Sequence, residues 1–310
     1  MRRNMWYLNP GFYIKTLEEG IAFALLALGV YLTFRILDFA DLTVEGSFPL
    51  GAAVVAKLIV AGYNPFLATI IAFIAGAIAG MITGIINTKL KIAGLLAGIL
   101  TMTSLYSINL RIMGRSLIPL FRERKIFDAF EWLFGSNYVV LLTLILIVLI
   151  IKILLDYFLH TELGMALRAT GDNPVMIETL GVNTDLIKIL GLALANGLVA
   201  LSGALMAQYY SSANAQMGMG MIVVGLASVI IGEVFVRTSK IPFATFGVIL
   251  GSVIYRFAIA ISLRLGFDAT DLKIVTAALV ILALGAPSLR KFMIQDEFAE
   301  RLLEEGEYNA

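Results

Sequence analysis

The sequence predicts an all-α, polytopic integral membrane protein with about nine transmembrane helices (eight to ten) and a broken second segment. Three observations predict it. Of 310 residues, 60% are hydrophobic and only 15% charged, with a mean hydropathy of +0.92; soluble chains carry about 25% charged residues. Apolar runs of spanning length recur along the chain. Small residues recur at four-residue spacing, the pattern that lets helices approach closely in lipid. Composition also excludes. The chain has no Cys, so disulfide frameworks and thiolate chemistry are absent. A single His, His160, rules out imidazole clusters for metal or proton relay. The net charge of +1 says nothing about a nucleic-acid partner, and none is expected.

Residues 1–19 read as an N-terminal interfacial segment, with Trp6, Tyr7, Phe12 and Tyr13 suited to headgroup depth and no apolar core of a signal peptide. Residues 20–292 form the membrane domain. Its first span is 21–36. Next, 38–51 holds Asp38, Asp41, Glu45, Gly46, Pro49 and Gly51, which no plain helix in lipid tolerates unless protein covers it or it lines a cavity. The span 65–86 presents Gly76, Gly80 and Gly84 on one face, and 92–112 adds Gly94 and Gly98. That second span is polar through Thr101, Thr103, Ser104, Ser107 and Asn109. A mixed-charge loop, 114–136, precedes an almost purely aliphatic span at 138–158. Spans at 187–206, 221–236, 241–263 and 274–289 complete the set, with a polar connection at 208–218. The tail, 293–310, is acidic: residues 295–310 hold six carboxylates against one Arg.

Between two spans lies the stretch 161–184. Gly171-Asp172-Asn173-Pro174 is a turn, and Asp172 or Asn173 can cap the helix that follows. Val175, Ile177 (or Met176) and Leu180 make a short apolar stripe that Gly181 stops. A surface helix lying at the headgroups and a docking knob for a soluble partner both fit this pattern. Charge does not orient the chain. With this stretch and the C-terminus inside, 11 Lys and Arg fall inside and 10 outside, and Lys57 and Arg256 within spans complete the total of 23.

No phosphate-binding GxxxxGK loop, HExxH, GxSxG or CxxC occurs. Intramembrane acid–base chemistry at Glu45, Asp41 or Glu233 lacks a second convergent group, and no metal site is expected. Glu45 reads either as a ligand contact in the broken segment or as a carboxylate satisfied by helix-start amides. Glu233 is expected to pair with Arg237 at i+4, and Arg256 and Lys57 to reach the interface. Glu45, Ser47, Thr101, Thr103, Asn109, Asn196 and Gln208 are candidates for a polar substrate path; interhelical hydrogen bonds are the plainer account of each. An ion-coupled transporter would use the broken segment, but no acidic residue lies between 187 and 228.

Leu163-Gly164, Ala166-Leu167-Arg168-Ala169-Thr170-Gly171-Asp172-Asn173-Pro174, Leu180-Gly181-Val182-Asn183-Thr184 and Leu201-Ser202-Gly203-Ala204-Leu205 together resemble the cytoplasmic coupling segment of bacterial ABC-importer permeases of the branched-chain amino acid and ribose permease family. Asp38-Phe-Ala-Asp-Leu-Thr-Val-Glu-Gly-Ser-Phe48 is similar to that family's segment between its early helices, most like permeases paired with tryptophan- or tyrosine-type binding proteins. The likeness covers residues 15 to 292. It implies a permease subunit, not an enzyme, importing a small polar solute: an amino acid, or in the alternative ribose or a nucleoside. It implies two cytoplasmic ATPase subunits carrying ATP and Mg, an extracytoplasmic solute-binding protein, a second permease copy, and no cofactor in this chain. It implies a coupling segment at 160–186, in which Arg168 to Pro174 form the turn, Ile177 and Leu180 fill an ATPase groove, and Arg168 and Glu178 set rim charges. The coupling stretch and tail would face the cytoplasm of a bacterial cell, with the N-terminus outside.

Overall fold

The computed structural model describes residues 10–135, 138–238 and 240–266, together with 271, 274, 276–278 and 281. Residues 1–9 of the interfacial segment, the tail 293–310 and most of the last expected span, 274–289, lie outside the described residues. Helix α1 (Pro10–Val30) runs directly into a π-helical stretch, Tyr31–Ile36. Then come α2 (Val44–Val60), α3 (Pro65–Thr88) and α4 (Gly94–Met113), followed by a short strand β1 (Leu117–Pro119), a 3-10 turn and one-turn α5 (Glu131–Phe134). The remainder is α6 (Val139–His160), α7 (Glu162–Asp172), α8 (Pro174–Thr179), α9 (Thr184–Tyr209), β2 (Ser212–Asn214), α10 (Met221–Phe235) and α11 (Ile241–Leu265). Among the described residues six helices are long and apolar enough to cross a membrane: α1 with its π extension, α3, α4, α6, α9 and α11. Helices α2 and α10, at 17 and 15 residues, are shorter.

Local chemistry sets the boundaries. Asn64 accepts from the Phe66 amide and Pro65 opens α3; Asn173 accepts from Met176 and Pro174 opens α8. Asn183 caps α9 through Leu186, while Gly114 (φ 69°) and Gly266 (φ 104°) close α4 and α11 in the left-handed conformation.

Helix α9 is the axis, buried continuously from Ala195 to Gln208. Lipid offers no hydrophobic drive for helix association, so contact depends on close approach. Gly76, Gly80 and Gly84 provide it for α3. A Cβ on Gly76 would collide with the Ala200 methyl, one on Gly80 with the Leu192 carbonyl oxygen, and one on Gly84 would lie 2.8 Å from Ile189 Cα. Helix α2 meets α9 in the same way, through Gly51 at Ala200 and Gly203 at Phe48. On α1, a Gly29 Cβ would sit 2.6 Å from the Ala195 oxygen, and Ser202 Oγ donates to the Ala22 carbonyl at 2.8 Å. Gly94 and Gly98 face no helix; they pack on the irregular segment after α1, at Phe39 and Leu42.

Three expectations change. Helix α1 begins at Pro10, not near residue 21, and carries Glu18 and Glu19 inside it. They are tolerated because Tyr209 OH donates to Glu18 at 3.1 Å and Arg256 Nε donates to Glu19 at 2.5 Å. Arg256 is thereby held in an ion pair over the Phe23 ring, with partners remote from it in sequence. Glu233 pairs with Arg35 at 2.7 Å, not with Arg237, because α10 ends at Phe235 and leaves Arg237 beyond the helical register. The loop after α4 is also pinned down: β1 pairs antiparallel with β2, Lys125 Nζ donates to Ser211 Oγ at 2.6 Å, and the Ile126 amide donates to Gln208 Oε1 at 2.9 Å.

Gly80→Val should lower the thermal unfolding temperature of the detergent-solubilised chain by the equivalent of about 1–3 kcal/mol or more, the usual cost of overpacking. Ile78→Leu, on the same helix but 51% exposed, should be near neutral. Equal unfolding temperatures for the two would contradict the α3–α9 packing.

Candidate functional site

The π-helical end of α1 leads into residues 37–43, an irregular elbow. Asp38 adopts φ 50°, and the Phe39 amide donates back to the Thr33 carbonyl at 2.9 Å. Asp41 is only 2% exposed. Its Oδ1 accepts from the Thr43 amide at 2.9 Å and its Oδ2 from Asn196 Nδ2 at 2.6 Å. Asn196 Oδ1 in turn accepts from Ser47 Oγ at 2.7 Å, and the Thr43 and Thr83 hydroxyls pair at 2.8 Å. Asn196 lies halfway along α9. The polar groups that break the second segment are therefore satisfied side chain to side chain in the middle of the helical bundle, as backbone irregularity at membrane depth requires.

Glu45 lies in the first turn of α2, just past this network. Its Oε1 accepts from the Gly220 amide, at the N-terminus of α10, at 3.0 Å, a favourable place for a carboxylate. Beside it opens a cavity of about 390 Å³ between α2, α4 and the segment before α10, bounded by Glu45, Met102, Tyr106, Asn109, Gln216 and Met219 among others. Asn109 donates from Nδ2 to the Gly46 carbonyl at 3.1 Å, while its buried Oδ1 has no partner among the described residues.

The seven residues grouped from sequence as one polar path separate. Glu45, Thr103 and Asn109 line the cavity. Ser47 and Asn196, both fully buried, belong to the Asp41 network. Thr101 donates to its own helix at Ala97, 3.0 Å away. Gln208 bolts the far end of α9 to Thr69 at 3.0 Å. Sequence reasoning passed over Tyr106 and Met219, and treated Asp41 only as an acid or base. The available signal for Asp41 was a carboxylate inside an apolar helix break, which needs a partner wherever it is buried.

At the other end of the elbow sits the 161–184 stretch. Thr161 caps α7, and Gly171 packs against the Ile36 carbonyl at the end of the π-helical stretch. Leu167 and Leu37 meet over Gly191. Arg168, expected at a docking rim, lines a crevice with Arg35, Asp172 and Glu233. At α8 and its C-cap the expected outward pair divides: Leu180 is 67% exposed but Ile177 only 8%. The reason is local. The chain turns back at Gly181 (φ 83°), and the Val182 amide donates to the Ile177 carbonyl at 3.3 Å, which faces Ile177 inward. The exposed apolar side chains are Val175, Met176 and Leu180, on either side of it. Glu178 accepts from Thr184 Oγ1 at 2.5 Å, tying α8 to the start of α9.

At the end of the bundle away from α8, Tyr210 OH donates to Glu19 at 3.1 Å and receives from Arg256 at 3.0 Å. Burial pushes the Tyr210 phenol above its ordinary value, against the pull of Arg256 and with the push of Glu19.

Residues 12–284 match the family model described as the permease component of branched-chain amino acid transport systems. A tyrosine transport system permease protein of Clostridioides difficile is 45% identical over 89% of this chain and 91% of its own length. A ribose import permease of Haemophilus influenzae is 26% identical, over 81% and 78%. Among solved structures, a metal-chelate type ABC transporter in an inward-facing conformation superposes with a TM-score of 0.53 at 16% identity, over 90% of this chain and 85% of that one. PsaBC from Streptococcus pneumoniae gives 0.51 at 15% identity, over 86% and 89%.

Asp41→Ala should lower the unfolding temperature by the equivalent of about 1–3 kcal/mol, because it strands the Asn196 and Thr43 donors in the core. Thr101→Val, which removes a bond within one helix, should change it little. A thermal melt in which both variants match the parent would remove the network from the account.

Proposed function

The chain belongs to the family of branched-chain amino acid transport system permease components, and on that footing we propose that it is the membrane subunit of an ATP-driven importer of an aromatic amino acid. As a permease component it is a transport subunit of an ABC transporter and not an enzyme. The finer reading is that two cytoplasmic ATPase subunits drive it, that a solute-binding protein delivers the cargo, and that two permease copies pair across the path. In this reading α8 and the C-terminus face the cytoplasm of a bacterial cell and the N-terminus of α1 faces outward.

The observation that carries the coupling is α8. A six-residue helix, anchored by buried Ile177 and capped at both ends, displays Val175, Met176 and Leu180 at one end of the bundle. Isolated exposed apolar residues need no explanation, but three on one rigid turn suit an apolar groove in a soluble partner. The turn is also mechanically connected. Gly171 abuts the end of the π-helical stretch, which continues into the elbow, the Asp41 network and Glu45 at the cavity wall. Close-packed glycine contacts give way in discrete steps and not gradually, so a shift of α7–α8 is passed on as a change of packing. The identity with the tyrosine permease supports the cargo. The ribose permeases, near 26%, support only the wider family.

Val175→Asp and Leu180→Asp should abolish both ATPase-subunit association and uptake while leaving the amount of folded permease unchanged. Ile177→Asp should instead reduce the folded permease itself, because it buries a charge. Pull-down of the ATPase subunit separates these outcomes. Normal association by both exposed-site variants, or tyrosine uptake by this chain alone in proteoliposomes, would overturn the proposal.

A further inference from the structure

We infer that the cavity beside Glu45 is a ligand subsite for a zwitterionic aromatic amino acid, in which Glu45 and Asn109 hold its ammonium group and Tyr106 packs on its ring. The inference rests on the transport reading above and adds the site and its chemistry to it.

The volume, about 390 Å³, falls in the range of small-molecule pockets, roughly 300–1,000 Å³. Its polar groups then define the guest. The Asn109 amide is oriented by its neighbour: the Gly46 carbonyl can only accept, so Nδ2 must face it and Oδ1 must be the other end. That oxygen is buried and has no partner among the described residues. Buried acceptors in that state are rare and costly unless something arrives to donate. The second oxygen donor set is the Glu45 carboxylate, fixed by the Gly220 amide. Two acceptor groups, one of them a carboxylate, on a wall with no Lys, Arg or His select a donor-rich cation.

The rest of the wall selects what the cation is attached to. Pro49, Met102, Tyr106 and Met219 offer thioether and ring surfaces, which suit a flat aromatic group through dispersion and sulfur–ring contact. Gln216, exposed at the edge, supplies an amide donor of the kind a carboxylate accepts. A sugar lacks the cation that the Glu45 carboxylate selects, and the Thr103 hydroxyl gives its proton to the Ile99 and Leu100 carbonyls, so it offers a sugar no donor.

The test is saturation-transfer NMR on the permease–ATPase complex in nanodiscs, without binding protein, using tyrosine, N-acetyl-tyrosine and ribose as probes. Tyrosine should bind, with its ring protons most strongly saturated; N-acetyl-tyrosine, which lacks the ammonium, should bind at least about tenfold more weakly; ribose should give no signal. Glu45→Gln keeps the acceptor for Gly220 but not the charge, and should weaken tyrosine by about tenfold, equivalent to about 1.4 kcal/mol. Tyr106→Ala, at a 45% exposed position, should weaken it likewise, and Tyr106→Phe should retain it. No tyrosine signal from the parent, parental affinity in both Glu45→Gln and Tyr106→Ala, or equal competition by N-acetyl-tyrosine overturns the assignment. Uptake by the parent complex with its binding protein, run alongside, separates the two levels. Tyrosine uptake with an insensitive cavity overturns the subsite alone, and ribose uptake in place of tyrosine overturns the transport reading as well.

Discussion

The 2.6 Å hydrogen bond from Asn196 to Asp41 is the contact on which the rest of the membrane domain depends. It permits a helix to be broken halfway through the bundle. An unpaired carboxylate and open amides at that depth would each cost several kcal/mol, roughly the whole net stability margin of a domain when taken together. With Asp41 accepting from Thr43 and Asn196, and Asn196 accepting from Ser47, the break is closed by side chains from α2 and α9. The late start of α2 follows from it. So does the position of Glu45 at a cavity wall, where the amide of Gly220 meets it.

Around that contact the architecture alternates hard joints with one irregular joint. The hard joints are backbone-to-backbone approaches at Gly76, Gly80, Gly51 and Gly203, where a single methyl would not fit. The irregular joint is the π-helical stretch Tyr31–Ile36 and the elbow after it, which Gly171 touches on one side and Gly94 and Gly98 on another. Wide helical turns of this kind are frequent at functional sites. In the proposed coupling, a push on α7–α8 meets this irregular segment first, and the close-packed α3–α9 pair serves as the frame.

Much of this was legible in the sequence because membrane helices follow simple rules. Run lengths marked the six long spans found among the described residues, the four-residue glycine spacing on α3 marked its approach to α9 while that on α4 meets the elbow and no helix, and Asn173-Pro174 with Gly181 marked a capped turn. What could not be read was which partner each polar residue takes. Glu233 had a plausible mate at Arg237, but the helix stops at Phe235 and Arg35 arrives from the π-helical stretch after α1, nearly 200 residues away in sequence. Glu18 and Glu19 resembled an interfacial edge because Tyr209, Tyr210 and Arg256 are remote along the chain. Ile177 and Leu180 share a helical stripe in projection, yet α8 is too short for periodicity to choose its buried side; the fold-back at Gly181 chooses it. The cavity is a property of α2, α4 and the 215–219 segment together, and so Tyr106 carried no mark of its own.

The central claim, that the partner's ATP cycle reaches the cavity through the elbow, is tested most directly by labelling. The chain has no native Cys, so Thr103→Cys, at an exposed cavity position, provides a single reporter in the assembled complex. Its maleimide labelling rate should change several-fold when ATP and vanadate are added, and that change should disappear in the Asp41→Asn background while the complex stays intact. A labelling rate indifferent to nucleotide, or an undiminished response with Asp41→Asn, would contradict coupling by this route.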